Sequence, residues 1–392
     1  MTSYESSLRE FGRTIQRLIE KHDLSRQACR GMFRQIMENS QPDLQQGAFL
    51  AALAAKGETV EEIVGAWEAI MELDTTKIHI DDTTPLVENS GTGMDALKTI
   101  NVSTAAAVVA ASGGVRLARH GARALTSKCG TVDLLDELGI DVACTVEHVG
   151  RSIDRSGIGI FNGMSPRVHP NALFRILSQI RFGSTLNIAA SLASPCRPTH
   201  GLRGVYAEPV IGKVVDIMQA IGYRRAMVVH GFDADGKKGM DEISTIGPTA
   251  VEEFFPDGSR KFYHLEPEDM GLKRSSYSVV AATGDVRCEA LRFLRVIGGK
   301  QHPECIDLVC ANAGAILYVA GRAPDLPSGV SAGRELIDSG QALKKMCQWI
   351  VAQGDDQGKG LLRFTSIAEQ AGLKKEVLAH LDACEGALGS MI

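Results

Sequence analysis

The chain has 392 residues and a formal net charge of −5 at pH 7, which predicts two domains, or one large domain with a satellite. The acidic balance argues against wholesale nucleic-acid binding, no apolar run is long enough to span a membrane, and the opening MTSYESSLREFGRT has no apolar signal core. Nine cysteines at irregular spacing, none in a C-x-x-C pair, predict reduced thiols in a cytoplasm rather than a disulfide framework or a zinc site.

Residues 4–75 read as helices. Leu8, Phe11, Ile15 and Leu18 recur at spacings of three and four, which makes one apolar stripe. Ser25 caps a second helix carrying Met32, Phe33, Ile36 and Met37. A third follows Pro42-Asp43, bears Leu44, Ala48, Phe49 and Leu53, and stops at Gly57. Thr59 with Glu62 forms a capping box for a fourth, bearing Ile63, Trp67, Ile70 and Met71.

The texture changes near Lys77. GVRLARHG and RAMVVHG read as buried strands, and TAAAVVAASGG and TVDLLDELGI as helices between strands. This alternation predicts an α/β fold with a mostly parallel sheet. VEEFFPDGSRKFYHL reads as a hairpin around Pro256-Asp257-Gly258. HPNALFRILSQI reads as one helix with Leu173, Ile176, Leu177 and Ile180 on a face. Residues 280–350 return to helices, GDDQGKG is a polar break, and the remainder is a helical appendix.

Three segments carry chemistry. In SGTGMDALKTINVSTA, Gly91 and Gly93 allow close backbone approach, and Ser103 and Thr104 add hydroxyls at a helix start. Free N–H groups there suit a phosphate, although Gly-Thr-Gly also serves ordinary turns and Asn-Val-Ser-Thr also caps helices. In ARHGARALTSKCGTVDLLDELG, Arg119, His120, Arg123 and Lys128 follow a strand and precede a helix, as an anion site or as a solvated basic loop. In GMDEIST, Asp241 and Glu242 offer hard oxygens suited to Mg²⁺, or simply form a solvated turn. Together the three suit a metal-bound polyphosphate. No G-x-S-x-G and no H-E-x-x-H is present.

The order and spacing of these segments resemble the anthranilate phosphoribosyltransferase family. GTGMDALKTINVST has the length of that family's first loop, RHGARALTSKCGTVDLLDELG follows its second, and GMDEIST retains its metal motif. The resemblance implies a mostly parallel central sheet flanked by helices, with a smaller all-helical domain. The helical domain would be 1–78, joined in space by about 165–185. The α/β domain would be 79–164 and 186–353, and 354–392 a linker and helical extension. It implies Mg²⁺-dependent transfer from phosphoribosyl pyrophosphate to an aromatic amine, anthranilate by default, as in tryptophan biosynthesis. A homodimer would form through the helical domain, and neither membrane nor nucleic acid is an expected partner.

Carried over residue by residue, Gly91, Thr92, Gly93, Asp95, Asn101, Ser103, Thr104 and Ser127 match pyrophosphate and ribose contacts, and Thr99 and Arg123 join them as candidate substrate-binding residues. Arg119 replaces a lysine, which keeps charge but changes geometry. Ser103 would help hold one Mg²⁺, and Asp241 and Glu242 another. His120 is the candidate catalytic residue, placed near the acceptor as an orienter. The departures cluster. Ala122 stands for an asparagine, Met94 and Ala96 for glycines, and Cys129 for a serine. Counting places Gln179 where an arginine for the acceptor carboxylate is expected, with Arg175 or Arg181 as substitutes. Two other readings stay open: a different aromatic or heterocyclic acceptor, and a non-catalytic nucleic-acid-binding relative.

Overall fold

The computed structural model describes residues 3–81, 84–93, 95–123, 129–354 and 358–389. Ser127, Lys128 and Met94, singled out in the sequence, lie outside the described residues. The chain opens with four helices, α1 (Ser3–Ile19), α2 (Arg26–Met37), α3 (Asp43–Lys56) and α4 (Val60–Leu73). Their starts follow the sequence signals. The Ser25 side chain accepts from the Ala28 N–H, and Thr59 and Glu62 cap reciprocally. Phe11, Phe33, Phe49, Leu53 and Ile63 bury themselves between the helices. Leu44 departs from its expected place in that stripe. It is 86% exposed, because it sits in the first turn of α3, on the face away from Phe49 and Leu53.

Next come β1 (Leu86–Ser90), α5 (Val102–Ser112), β2 (Arg116–Gly121), α6 (Thr131–Glu137), α7 (Val146–Ser156) and β3 (Ile158–Asn162). Helices α8 (Leu173–Ile180) and α9 (Leu186–Ala189) lead to β4 (His200–Gly204), α10 (Ile211–Ala220), β5 (Arg225–Phe232) and the short β6 (Gly239–Met240). Strands β7 (Thr249–Phe254) and β8 (Arg260–Leu265) form the hairpin around Asp257-Gly258, with Phe254 opposite Arg260. Helices α11 (Tyr277–Val280), α12 (Val286–Ile297), α13 (Pro303–Val319), α14 (Leu326–Asp338), α15 (Gln341–Ala352), α16 (Lys359–Ala371) and α17 (Lys374–Gly389) complete the chain.

Among the described residues, eight strands form one sheet. Its order is β3-β2-β1-β4-β5-β7-β8, with β6 beside β5. From β3 to β5 the strands are parallel, β6 and β7 each pair antiparallel with β5, and β8 pairs antiparallel with β7. Buried apolar residues of α5, α12, α13 and α15 pack with Val87, Leu117, Leu202 and Val229. Phe364, Ile367 and Val377 of α16 and α17 join that same core. Ala226, Val228 and Ala250 point the other way, into a core shared with α1–α4, α8, α9 and α10. Successive side chains of a strand alternate between faces, so the sheet sorts its residues into two compartments. That sorting builds the site.

Candidate active site

Strands β2, β1 and β4 lie side by side, and ligands in open parallel sheets gather at such strands' carboxyl ends. On the α5/α13 side β1 presents Asn89 and β2 presents Arg119. On the opposite side β1 presents Glu88 and Ser90, β2 presents His120 and β4 presents Arg203. The first side assembles the glycine-hydroxyl loop and the acidic doublet, segments 148 residues apart in the chain. Gly93 N–H donates to Asp241 Oδ2 at 2.7 Å, and Ser103 N–H, in the first turn of α5, donates to Glu242 Oε1 at 3.3 Å. The carboxylates thus occupy donors that an anion would otherwise take.

Close backbone approach holds this arrangement. A Cβ on Gly91 would fall 2.2 Å from Asp241 Oδ2, and one on Gly204 would fall 1.5 Å from the Asp241 carbonyl oxygen. Behind the doublet, Asn312 of α13 accepts from the Ile243 N–H and donates to its carbonyl, both at 3.0 Å. Ala96 and Leu97 N–H groups donate to the Gly239 carbonyl, which ties the two loops together directly. A cavity of ≈ 10 Å³ lies among Asn89, Ser90, Ser103, Gly204, Asp241 and Glu242.

The acids here repel one another. Burial pushes the Asp95 carboxyl up to about 6, with Asp241 adding to the shift and Lys98, 2.5 Å away, opposing it. Burial, then Asp241 and Asp95, push Glu242 well above the ordinary carboxylate range. Glu242 Oε2 and Thr92 Oγ1 are buried without a hydrogen-bond partner. Such a donor set fits a hard cation that also takes oxygens from a phosphate. Among the described residues, no group of three acidic, histidine or cysteine side chains makes a protein-only metal cage.

Arg119 is buried, and its guanidinium spans the hydroxyls. It donates to Thr104 Oγ1 at 2.7 Å, Ser103 Oγ at 3.1 Å and Asn89 Oδ1 at 3.1 Å. Burial brings its pKa down to about 10, against the pull of Glu242 and Glu88, so it stays cationic. Asn89 in turn donates to the Ser103 carbonyl at 2.6 Å. Asn101 caps the start of α5 in position, without a side-chain cap bond, and reaches Cys129 Sγ at 3.8 Å. Thr99 forms an isolated antiparallel bridge with Ala281.

The other candidates lie elsewhere. Arg123 is drawn to α6, 2.9 Å from Asp133 and 2.8 Å from Asp136. Arg175 faces the helical bundle, where it contacts Asp43, Gln46 and the Ile36 carbonyl. Gln179 is exposed, and Arg181 is exposed with a φ of 46° at the end of α8. None of these three joins the strand ends through a hydrogen bond or ion pair among the described residues.

His120 sits on the bundle-facing side of the sheet. Its Nε2 lies 3.1 Å from His169 Nε2, and its Nδ1 lies 3.4 Å from the Ser191 carbonyl. His169 Nδ1 is 2.6 Å from the Asp74 carbonyl, which requires a proton on that nitrogen. His169 Nε2 therefore accepts, and His120 Nε2 donates to it. Burial, then His169, hold the His120 pKa down at about 3, so the ring is neutral. The Asp74 side chain accepts from the N–H groups of Asn171, Ala172 and Leu173 at 2.5, 3.1 and 2.7 Å, fixing the start of α8. Asn89, Arg203, Asp74, Ser191 and His169 were absent from the candidates read in the sequence. His169 lay inside a quoted segment, but the others carried no local signal.

Residues 83–343 match the α/β domain of a glycosyl transferase family, and residues 13–73 match its helical bundle domain. An anthranilate phosphoribosyltransferase from Methanothermobacter marburgensis is 36% identical over 338 residues, covering 84% of this chain and 95% of the relative. One from Polynucleobacter asymbioticus is 37% identical over 344 residues, covering 86% and 96%.

The chain belongs to the anthranilate phosphoribosyltransferase family.

It is accordingly an enzyme of the phosphoribosyltransferase class. Its fold is that of the anthranilate phosphoribosyltransferase from Thermus thermophilus, with a TM-score of 0.77 at 29% identity over 86% of this chain and 98% of that one. The Saccharomyces cerevisiae enzyme, solved in complex with phosphoribosyl pyrophosphate and Mg, superimposes with a TM-score of 0.76 at 22% identity, covering 89% and 98%. Among the described residues no helix is long and apolar enough to cross a membrane.

Proposed function

We propose that this enzyme moves the 5-phosphoribosyl group of phosphoribosyl pyrophosphate onto the amine of an aromatic acid, anthranilate being the acceptor its relatives are named for. The observation that carries this reading is the pairing of the Gly93 and Ser103 N–H groups with Asp241 and Glu242. Donors for an anion and oxygens for a cation meet at one point. Asp241, Glu242 and the Ser103 hydroxyl would hold Mg²⁺, which when bound would offset charge on the diphosphate.

The chain's own groups do the rest. As the bond to C1 of the ribose breaks, negative charge grows on the departing diphosphate, and the Gly93 and Ser103 N–H groups, freed once Asp241 and Glu242 turn to the cation, stabilise it. Arg119 holds the Ser103 and Thr104 hydroxyls in place and adds a buried positive charge behind them. The acceptor approaches from the opposite side of the sheet, where neutral His120 orients it rather than removing its proton. The two substrates meet beyond the carboxyl ends of β2, β1 and β4, where the two sides of the sheet come together, and that meeting supplies the proximity the reaction needs. We assign the helical bundle the dimer contact, since Leu44, Tyr4 and Phe174 leave apolar surface uncovered there.

A second reading, a different aromatic or heterocyclic acceptor, is favoured by Ala122 and by the placement of Arg175, Gln179 and Arg181 away from the strand ends. One assay separates the two. Pyrophosphate release is followed with phosphoribosyl pyrophosphate, Mg²⁺ and a panel of aromatic amines. Saturable release with anthranilate supports the first reading, release only with another amine the second, and release with none refutes both.

A further inference from the structure

Arg203 is the odd residue of the acceptor side. It is the penultimate residue of β4, beside Ser90, the last residue of β1, and one strand further from His120, the penultimate residue of β2. It is only 2% exposed. A guanidinium has five N–H donors. Here one Nη donates to Ser90 Oγ at 2.5 Å, the other donates to Ser191 Oγ, and Nε has no partner. Among the described residues no carboxylate lies within the 4.0 Å of an ion pair. The nearby acid, Glu88, feels the Arg203 charge through space but spends its hydrogen bonds on the Tyr223 hydroxyl at 2.6 Å and on Ser90, so every direct partner of the guanidinium is neutral. A buried cation left with neutral partners is costly unless an anion completes it.

We infer that Arg203 is the specificity residue that receives the carboxylate of the acceptor. This rests on the reading of the acceptor as an aromatic acid. The chemistry of the position supports it. Arg203 and His120 converge on Ser191, the first through its hydroxyl and the second toward its carbonyl. An aromatic acid with its carboxylate at Arg203 would direct its ring across the end of β1 toward His120. Arg175 is not available for the task, because Asp43, Gln46 and the Ile36 carbonyl already hold it. Arg119 points to the other face of the sheet and is already held by Asn89, Ser103 and Thr104. The positive charge at Arg203 also adds to burial and His169 in keeping His120 neutral.

The test is equilibrium binding of anthranilate, read by its own fluorescence and needing no turnover, with aniline as the uncharged competitor. Wild-type protein should prefer anthranilate to aniline by roughly 100-fold, and Arg203→Met should erase most of that preference, as loss of a buried charge-assisted pair does. Aniline affinity and Mg-dependent phosphoribosyl pyrophosphate affinity should stay within about twofold in the same variant. Arg203→Lys, which keeps the charge but not the fork, should recover part of the preference and serves if the methionine variant does not fold. Unchanged anthranilate affinity in both variants, or no carboxylate preference in the wild type, would overturn the assignment. Pyrophosphate release is measured in parallel. Arg203-dependent anthranilate binding without release sinks the transferase reading of this acceptor and leaves the anion site standing. Release with an uncharged amine, without anthranilate binding, does the reverse.

Discussion

Replacing Gly204 with alanine should disable the enzyme while leaving the fold in place. The new Cβ would land 1.5 Å from the Asp241 carbonyl oxygen, a backbone atom that no side-chain rotation can move. Restoring an ordinary 3.4 Å contact requires β4 and the acidic loop to part by about 1.9 Å. Asn312 grips Ile243 from behind, so the displacement falls mainly on Asp241 and Glu242. A misplacement of ~1 Å at a reacting centre costs on the order of 100-fold, so kcat/KM for pyrophosphate release should drop at least that far. Overpacking of this kind costs ~1–3 kcal/mol, a fall in Tm of several degrees rather than collapse. Gly31→Ala is the control, since its Cβ meets nothing within 4 Å in the middle of α2, and alanine there should raise Tm slightly. Activity of Gly204→Ala within threefold of wild type would refute the claim that the two loops act through this contact.

Three other perturbations read different parts of the site. Glu242→Gln puts a neutral amide where burial, Asp241 and Asp95 already disfavour the ionised carboxyl, so Tm without Mg²⁺ should change little while the stabilisation conferred by Mg²⁺ and phosphoribosyl pyrophosphate shrinks; an unchanged ligand-induced shift in Tm contradicts this. Asp74→Ala strips the carboxylate from three N–H groups at the start of α8 and should cost at least the ~1 kcal/mol of an ordinary cap, seen as a lower midpoint in urea. The third is acid stability. His120 is depressed from 6.5 to about 3, and His169 is lowered too. Depressed folded values give stability that is complete above pH 6.5 and lost as pH falls toward the folded pKa. Melts between about pH 7 and 4 should therefore show Tm falling with pH, and His120→Asn should flatten the slope; an equal slope in the variant refutes the buried-pair account.

The donor half of the site could be read in the chain because its signals are local. Gly91 and Gly93, the Ser103-Thr104 pair and the Asp241-Glu242 doublet each sit at a loop whose composition announces backbone approach or charge. The capping box at Thr59 and the hairpin at Asp257-Gly258 were legible for the same reason. Arg203 was not, because LRG within a strand says nothing until the face of β4 is known. Arg175 is the converse case. Its helix was legible, but Asp43 and Gln46 turn it toward the bundle, and that pairing spans more than a hundred residues. Asp74 and His169 acquire meaning only when the end of α4 meets the start of α8.

The central claim is that the loop at Gly93 and the acidic pair at 241–242 clasp a magnesium diphosphate together. Calorimetric titration of phosphoribosyl pyrophosphate, with and without Mg²⁺, into wild type and Asp241→Ala tests it most directly. The account predicts tight binding only with Mg²⁺ in the wild type and a loss of that metal dependence in the variant. Equal binding in all four titrations would contradict it.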